Sequence, residues 1–354
     1  MIQWSLLLLS SLPLALVAER PNFLFFFPDT LRAESFSGYG NPLDVSPNLE
    51  ALAKKGTRFE QVHAMHTQCS PSRATMLTGR YMHVDGHRTQ TNLIQPYEEN
   101  YFRLLKEGGY HIEYAGKNDV FSPATFNLSV SHWKGSIGYS SGHNVYEFGE
   151  AGYYSMLMTG SEWSGKRGGD FESVAHGVQF LNSNPTEPFL LFLPIRGAHP
   201  PYGAPKEFKD KFTLEQVKSS VKLRPRNLPG KPHYHGNEAG IPFYRNLTSL
   251  DEDTFYEIQR QYLSMIAYTD WLYGQLQEGL ERSGLADRTA IFVSSDHGDF
   301  GGDFGLIEKW PGGADDVLTR VPLYVSIPGG ATGHVSKAPV QLADVMETML
   351  DMAG

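Results

Sequence analysis

The sequence predicts an α/β protein built on one large, mostly parallel sheet with helices on both faces. Short apolar runs alternate with helical patterns along the 354 residues. Most of these runs are continuously apolar, which is typical of strands buried on both faces. Turn residues separate the strands from the helices, as expected when each strand is followed by a helical crossover.

The elements follow in chain order. Residues 22–27 are apolar and aromatic, which predicts a buried strand. Ser46 and Pro47 predict a helix start, and Gly56 predicts its end. The same criteria predict further helices at 101–106, 171–181, 254–280 and 340–352, and strands at 110–115, 189–193, 289–294 and 321–327.

Two long segments, 121–169 and 199–250, show no regular pattern. Irregular segments of this length inside a compact domain are usually functional. We therefore expect them to form the walls of a substrate cleft.

Composition and charge exclude several classes of protein. Hydrophobic residues make up 40% of the chain and charged residues 19%, which is too apolar for a disordered protein. The net charge of -9 argues against a general nucleic-acid binder, although local cations can still bind an anionic substrate. One cysteine excludes an intrachain disulfide framework.

Residues 1–18 predict a secretory signal peptide. Their apolar run is too short to span a bilayer and ends in Ala18, and the alternative is a buried strand or helix. Sequons at Asn127 and Asn246 would accept glycans in the secretory pathway. We expect a secreted or lysosomal protein with no membrane span.

Ionisable residues follow four of the predicted strands. Ligands of open α/β sheets bind beyond the carboxyl ends of the strands, so these side chains should converge. Alone, an Asp after a strand is more often a turn or cap residue. The candidates are Asp29, Lys117, Asp119, Arg196, His199, Ser295, Asp296, His297 and Asp299.

Three of these candidates suit a divalent cation. Asp29 and Asp296 offer the carboxylate oxygens that Ca²⁺ and Mg²⁺ prefer, and the imidazole of His297 also suits Mn²⁺ or Zn²⁺. On chemistry alone, this set predicts a metal-assisted hydrolase of an anionic ester.

Cys69 begins the most distinctive segment, residues 69–80. Pro71 and Ser72 favour a helix start, so Cys69 should lie just before a helix N-terminus, a place suited to anions. Arg73 lies one turn further and can reach back to it. An isolated buried structural cysteine is the alternative.

The segments Cys-x-Pro-Ser-Arg and Leu-Thr-Gly-Arg resemble the signature of the formylglycine-dependent sulfatases, in the alkaline-phosphatase superfamily. Five further segments resemble elements of that family, in its order, between residues 21 and 354: 22–30, 115–117, 197–201, 294–299 and 302–309. The resemblance implies an alkaline-phosphatase-like catalytic domain over 21–354 that cleaves sulfuric esters. It also implies that the formylglycine-generating enzyme oxidises Cys69 during maturation.

The resemblance implies a role for each matching residue. Formylglycine at Cys69 would be the nucleophile, and it would bind the cation together with Asp29, Asp296 and His297. Arg73 and Lys117 would stabilise the diol and the sulfate. Lys309 would hold the sulfate, and His199 would protonate the leaving alcohol. Ca²⁺ is the expected ion, with Mn²⁺ and Mg²⁺ as alternatives.

The chain departs from the family pattern at several points. Thr30 stands where many members have a second aspartate, as in branches that include phosphonate and phosphate ester hydrolases. Asp119 replaces a common histidine, so Asp119, His132 or His143 is the candidate base, and Phe304 also stands where histidine is common. We expect the small C-terminal antiparallel subdomain to be absent, because the sequence ends at Gly354.

The expected substrate is a sulfated glycan or glycoconjugate rather than a small aryl sulfate. Two other functions stay open: hydrolysis of phosphonates or phosphodiesters at the same site, and a catalytically silent, secreted protein that binds sulfated glycans.

Overall fold

A computed structural model describes residues 20–135, 143–150, 152–159, 164–166, 168–186, 188–226, 229–230, 247–309 and 313–354. The predicted signal peptide and the sequon residue Asn246 lie outside these residues. Within them, no helix combines the length and the apolar character needed to cross a membrane.

The strands form one large sheet and a short hairpin. Their bounds are β1 (Asn22–Phe26), β2 (Thr57–His63), β3 (His111–Gly116), β4 (His132–Gly135), β5 (His143–Asn144), β6 (Met158–Thr159), β7 (Phe189–Leu193), β8 (Thr289–Val293), β9 (Leu323–Ser326) and β10 (His334–Gln341). The eight-stranded sheet has the order β10-β2-β9-β8-β1-β7-β3-β4. Among the described residues, only the pairings that involve β9 are antiparallel in this sheet. The predicted mixed, mostly parallel sheet is confirmed.

Helices cover both faces of the sheet. Their bounds are α1 (Pro47–Lys55), α2 (Cys69–Thr78), α3 (Met82–Asp85), α4 (Tyr101–Glu107), α5 (Pro123–Ser129), α6 (Gly169–Asn182), α7 (Leu214–Ser220), α8 (Glu252–Arg282), α9 (Asp316–Thr319) and α10 (Leu342–Ala353). One hydrophobic core contains side chains of α1, α6 and α8, and the other contains side chains of α2, α4 and α10.

Strand β1 explains why both faces are apolar. Its side chains alternate between the faces, as the period of a strand requires. Phe23 and Phe25 belong to one core, and Leu24 and Phe26 belong to the other. Strand β1 lies between β7 and β8, so the chain that follows it emerges near the middle of the sheet.

Several short elements were not predicted. Strands β2 and β10 pair with each other but are mostly half-buried or exposed, so they lack a continuous apolar run. The segment 121–169 was expected to be irregular, yet it contains α5, which begins where Ser122 accepts a hydrogen bond from the N–H of Thr125. The segment 199–250 likewise contains α7, with a capping box at Thr213.

Candidate active site

The candidate site lies beyond the carboxyl ends of four neighbouring strands, β8, β1, β7 and β3. Their order in the sheet differs from their order in the chain, and the sheet thereby joins residues that are far apart in sequence. Asp29 follows β1, Lys117 follows β3, His199 follows β7, and Asp296 and His297 follow β8. The predicted convergence of these side chains is observed.

Asp29, Cys69, Asp296 and His297 form a buried cluster of possible metal ligands. One ligand atom from each lies within 4.8 Å of every other. The Nε2 atom of His297 is 3.6 Å from Asp29 Oδ1, 3.8 Å from Asp296 Oδ1 and 3.3 Å from Cys69 Sγ. Each of the four residues is at most 2% exposed, so a cation here would be shielded from water.

The donor set fits a divalent cation. His297 donates its Nδ1–H to the carbonyl of Gly298 at 2.9 Å, which leaves the Nε2 lone pair facing the cluster. Asp296 Oδ1 is oriented by the N–H groups of Thr30 and His297. Two carboxylates and one imidazole suit Ca²⁺, Mg²⁺ or Mn²⁺, with the imidazole favouring the transition metal.

Arg73 connects the two carboxylates. Its Nη2 is 3.1 Å from Asp29 Oδ2, and its Nε is 2.9 Å from Asp296 Oδ2. The Nη1 atom of this buried guanidinium has no hydrogen-bond partner within the described part of the chain. A buried donor without a partner is costly, so this atom is suited to bind an oxygen of an anionic substrate.

Lys117 contacts the same aspartate. Its ammonium pairs with Asp29 Oδ2 and lies 3.1 Å from Asp119 Oδ2. Burial by itself would lower the pKa of Lys117, but Asp29 and Asp119 outweigh it and raise that pKa above its ordinary value. Burial would likewise raise the pKa of Asp29, but nearby positive charges, with Lys117 the largest, hold it well below its usual range.

Cys69 is the first residue of α2, one position further into the helix than expected. Burial raises the pKa of its thiol to about 12, and Asp29 acts in the same direction. Helix α2 is held against the cluster by a hydrogen bond, because Ser72 donates its hydroxyl hydrogen to the carbonyl of Asp296 at 2.6 Å. Residue 69 is therefore held beside the candidate ligands at a helix N-terminus.

His199 and Lys309 are in direct contact. His199 donates its Nδ1–H to the carbonyl of Pro200 at 2.7 Å, so its Nε2 lone pair accepts a hydrogen bond from the Lys309 ammonium at 2.6 Å. Burial, followed by the charge of Lys309, holds the pKa of His199 well below its ordinary value. Asp29 acts in the opposite direction, but burial and Lys309 outweigh it, so the imidazole is neutral at neutral pH in the metal-free chain.

The three candidate bases differ in position. Asp119 lies at the site, where its Oδ1 is 3.4 Å from Arg73 Nε. His132 instead contacts Glu113, which lies within β3 before the carboxyl end of that strand. His132 therefore does not approach Cys69, as a base at that residue would have to. The side chain of His143 lies outside the described atoms.

Sequence reasoning missed the residues that hold the site together. Asp170, at the start of α6, accepts hydrogen bonds from the N–H groups of Arg196 and Gly197, both at 2.9 Å. His66 accepts a hydrogen bond from the N–H of Gln68, just before α2. No sequence spacing links Asp170 to the 196–199 loop. The sequence indicates only that Asp170 is one of two acidic residues in the first turn of α6.

The chain is similar in sequence to several known proteins. The chain is 27% identical to the uncharacterized sulfatase YidJ of Escherichia coli, across 95% of this chain and 68% of that protein. It is 23% identical to arylsulfatase K of Danio rerio, across 95% and 65%. The chain thus spans about two thirds of the length of these relatives.

The fold of the chain is also similar to that of a solved structure. The fold matches the phosphonate monoester hydrolase of Agrobacterium radiobacter with a TM-score of 0.74 at 22% identity, across 95% of this chain and 74% of that one. The model of the family described as Sulfatase matches residues 21–354. Because this match covers nearly all of the chain, the chain belongs to the sulfatase family.

Proposed function

We propose that the chain hydrolyses a sulfuric ester and releases inorganic sulfate. One observation carries the proposal: Cys69, at a helix N-terminus, lies against the metal-ligand cluster with the cations Arg73 and Lys117 beside it. Fixed positive charges in a buried site stabilise the negative charge that develops on a transferred group.

Two groups that the chain does not encode would complete the site. Oxidation of Cys69 by the formylglycine-generating enzyme would supply a hydrated aldehyde as the nucleophile. A divalent cation held by Asp29, Asp296 and His297, with Ca²⁺ our first expectation, would supply Lewis acidity toward the sulfate oxygens. In the metal-free chain, burial raises the pKa of the unmodified thiol to about 12, so the thiol by itself stays protonated at neutral pH.

The residues of the chain bind and orient the sulfate. Arg73 is already fixed by Asp29 and Asp296, so it can direct Nη1, which has no partner among the described residues, at an oxygen without reorganising. Lys117 holds a second positive charge against Asp29. Asp119, held by both cations, is our candidate for the base that acts on the diol.

His199 and Lys309 would act on the leaving group. The neutral imidazole and the ammonium share one hydrogen bond through Nε2. A proton for the departing alkoxide is therefore available from this pair, although His199 alone is not protonated. Lys309 would also contribute charge toward the sulfate.

Two measurements test the proposal on protein from a host with the modifying enzyme. The mass of the peptide that contains residue 69 should show formylglycine, and purified protein should release sulfate from an aryl sulfate. An unmodified thiol together with no sulfate release would contradict the proposal. That result would favour the silent glycan-binding function, which binding to a sulfated glycan would then check.

We further propose a sulfated glycan or glycoconjugate as substrate, encountered in the secretory pathway, in lysosomes or outside the cell. The apolar leader and the sequon at Asn127, which is exposed on α5, support this assignment. Sulfated disaccharides should show a higher kcat/KM than a small aryl sulfate. The reverse order would contradict this substrate class.

Hydrolysis of a phosphonate or phosphodiester is the second candidate. The resemblance implies a second aspartate after Asp29 in many family members, but Thr30 occupies this position and donates its hydroxyl hydrogen to Asp29 Oδ1. Comparison of a sulfate ester and a phosphate ester of the same phenol distinguishes the two functions. A higher kcat/KM for the phosphate ester would favour the second.

A further inference from the structure

Three histidines surround one buried glutamate at the edge of the large sheet. Glu113 lies on β3, and its side chain is only 3% exposed. Its Oε1 is 2.6 Å from His132 Nδ1 on the edge strand β4 and 2.6 Å from His176 Nε2 on α6. Its Oε2 is 2.8 Å from His111 Nε2. Donor atoms from three different elements therefore meet at one carboxylate.

This cluster is separate from the candidate active site. Glu113 precedes Lys117 by four residues, which is about 13 Å along a strand. It lies on the side of β3 that α6 covers. The proposed mechanism uses none of the four residues, and sulfate-ester chemistry does not require them.

The geometry suits a small cation. One ligand atom each of Glu113, His132 and His176 lies within 4.8 Å of the other two. The imidazole rings of His132 and His176 are 5.4 Å apart between centroids. The side chain of His132 is 57% exposed, which gives an ion a path from solvent and lets the ring move outward.

The donor types select the class of ion. Two imidazoles and one carboxylate are ligands typical of Zn²⁺, whereas Ca²⁺ takes six to eight oxygen atoms. A fourth position toward solvent would be filled by water. His111 bonds to the second carboxylate oxygen and stacks on Phe180 at 5.5 Å, so it orients the carboxylate as outer partners of metal ligands do.

We propose that Glu113, His132 and His176 bind a divalent transition-metal ion, with Zn²⁺ as the first expectation. The ion would link β4 and α6 to β3. Bonds of about 2.0–2.2 Å in a tetrahedral site place ligand atoms roughly 3.4 Å apart. The present separations of 2.6 Å must therefore widen, and the exposed ring of His132 can supply this movement. Binding would link three elements that are otherwise joined by hydrogen bonds and packing.

The test measures bound zinc and thermal stability in the full chain, with Ca²⁺ in excess so that the cluster around Asp29 is saturated. Elemental analysis after equilibrium dialysis against Zn²⁺ should find one more ion per chain in the wild type than in the double variant H132Q/H176Q. Zinc should also raise the Tm of the wild type more than that of the variant, because it binds the folded state. His334→Gln, an exposed histidine on the opposite edge strand β10, is the control and should behave as the wild type.

Equal zinc stoichiometry and equal Tm increments in the wild type and the double variant would overturn the proposal, leaving a hydrogen-bonded cluster. If the double variant does not fold, the single variant His132→Gln replaces it, because its side chain is exposed. Co²⁺ gives an independent measurement. The wild type should show the ligand-field absorption of tetrahedral Co²⁺, and the absence of a difference from His132→Gln would also contradict the site.

Discussion

Cys69 illustrates how the surroundings of one residue determine its chemistry. Burial and Asp29 raise the pKa of its thiol to about 12, and its Sγ lies 3.3 Å from His297 Nε2. In the metal-free chain the unmodified thiol is therefore protonated at neutral pH and is a weak nucleophile. The pairing of Arg73 with both aspartates does not depend on the modification.

We predict that Cys69→Ala lowers the rate of sulfate release by more than roughly 10³-fold, since loss of a nucleophile removes nearly all covalent catalysis. The fold should persist, because the change removes one small buried atom, and the Tm and circular dichroism check this. Cys69→Ser made in a eukaryotic host is expected to be nearly as inactive. A variant that retains a tenth of the wild-type rate would refute the nucleophile assignment.

His199→Ala tests the leaving-group role. The variant should lose roughly 10²–10⁴-fold in kcat with a poor alkoxide leaving group, the usual size of general acid catalysis. The loss should be much smaller with a nitrophenolate, which departs without a proton. Lys309→Ala should share this dependence in part, because its ammonium contacts His199 Nε2. Equal losses on both substrates would assign His199 a structural role.

At the scale of elements, the loop after β7 depends on α6. Asp170 accepts the N–H groups of Arg196 and Gly197, and this fixes the backbone two residues before His199. Asp270 on α8 makes an equivalent contact with a different helix. It accepts hydrogen bonds from the N–H groups of Asn48 and Leu49 at the start of α1. Burial raises the pKa of each of these two aspartates to about 6.

We predict that Asp170→Asn lowers kcat for poor leaving groups, because an amide accepts only one of the two N–H groups well and His199 is then less well positioned. Asp270→Asn is the matched control and should leave the leaving-group dependence unchanged. If both variants show the same kinetics, Asp170 does not position His199.

At the scale of the whole molecule, buried carboxylates make stability depend on pH in opposite directions. Burial raises the pKa of Asp299 to about 6, as it does for Asp170 and Asp270. Burial would raise the pKa of Glu34 as well, but the hydrogen bond from Arg224 and nearby arginines lower it to about 2. Aspartates with raised pKa values favour the folded state below about pH 4, and this contribution is lost as the pH rises to about 6. Glu34 favours the folded state above about pH 4.5, and its contribution is lost toward pH 2.

Asp270→Asn should therefore become more stable relative to the wild type as the pH rises. The wild-type carboxyl must ionise in a buried position between about pH 4 and 6, whereas the amide does not. The difference in free energy of unfolding should shift by about 1–3 kcal/mol in favour of the variant across this range. Denaturant titrations at pH 4, 5, 6 and 7 measure it, and a constant difference would show that the pKa of Asp270 is not raised.

Removal of the cation should also act on the whole molecule. An ion that binds only the folded chain stabilises it by about 2.7 kcal/mol at a concentration of one hundred times its Kd. We expect a chelator to lower the Tm of the wild type and added Ca²⁺ to restore it. Asp296→Asn should lose most of this response, whereas Asp303→Asn, a buried aspartate paired with Arg32 outside the cluster, should keep it. An unchanged response in Asp296→Asn would contradict the ligand assignment.

The sequence by itself determined the fold class and most of the regular elements. The continuous apolar run of β1 and the proline and glycine at the ends of α1 are local signals, and local signals are visible in a sequence. The candidate ligands Asp29, Asp296 and His297 could also be predicted from the sequence, because residues after parallel strands meet at one edge of the sheet. The edge strand β10 and its neighbour β2 could not be predicted, because half-exposed strands carry no continuous apolar run.

Only the tertiary structure decided how the side chains pair. Tertiary packing places Arg73 of α2 between two aspartates and His199 against Lys309, and it turns His132 toward Glu113 instead of Cys69. The pKa values of His199 and Cys69 depend on burial and on charges brought from distant parts of the chain. Electrostatic interactions depend on distance in space, and sequence separation does not give that distance.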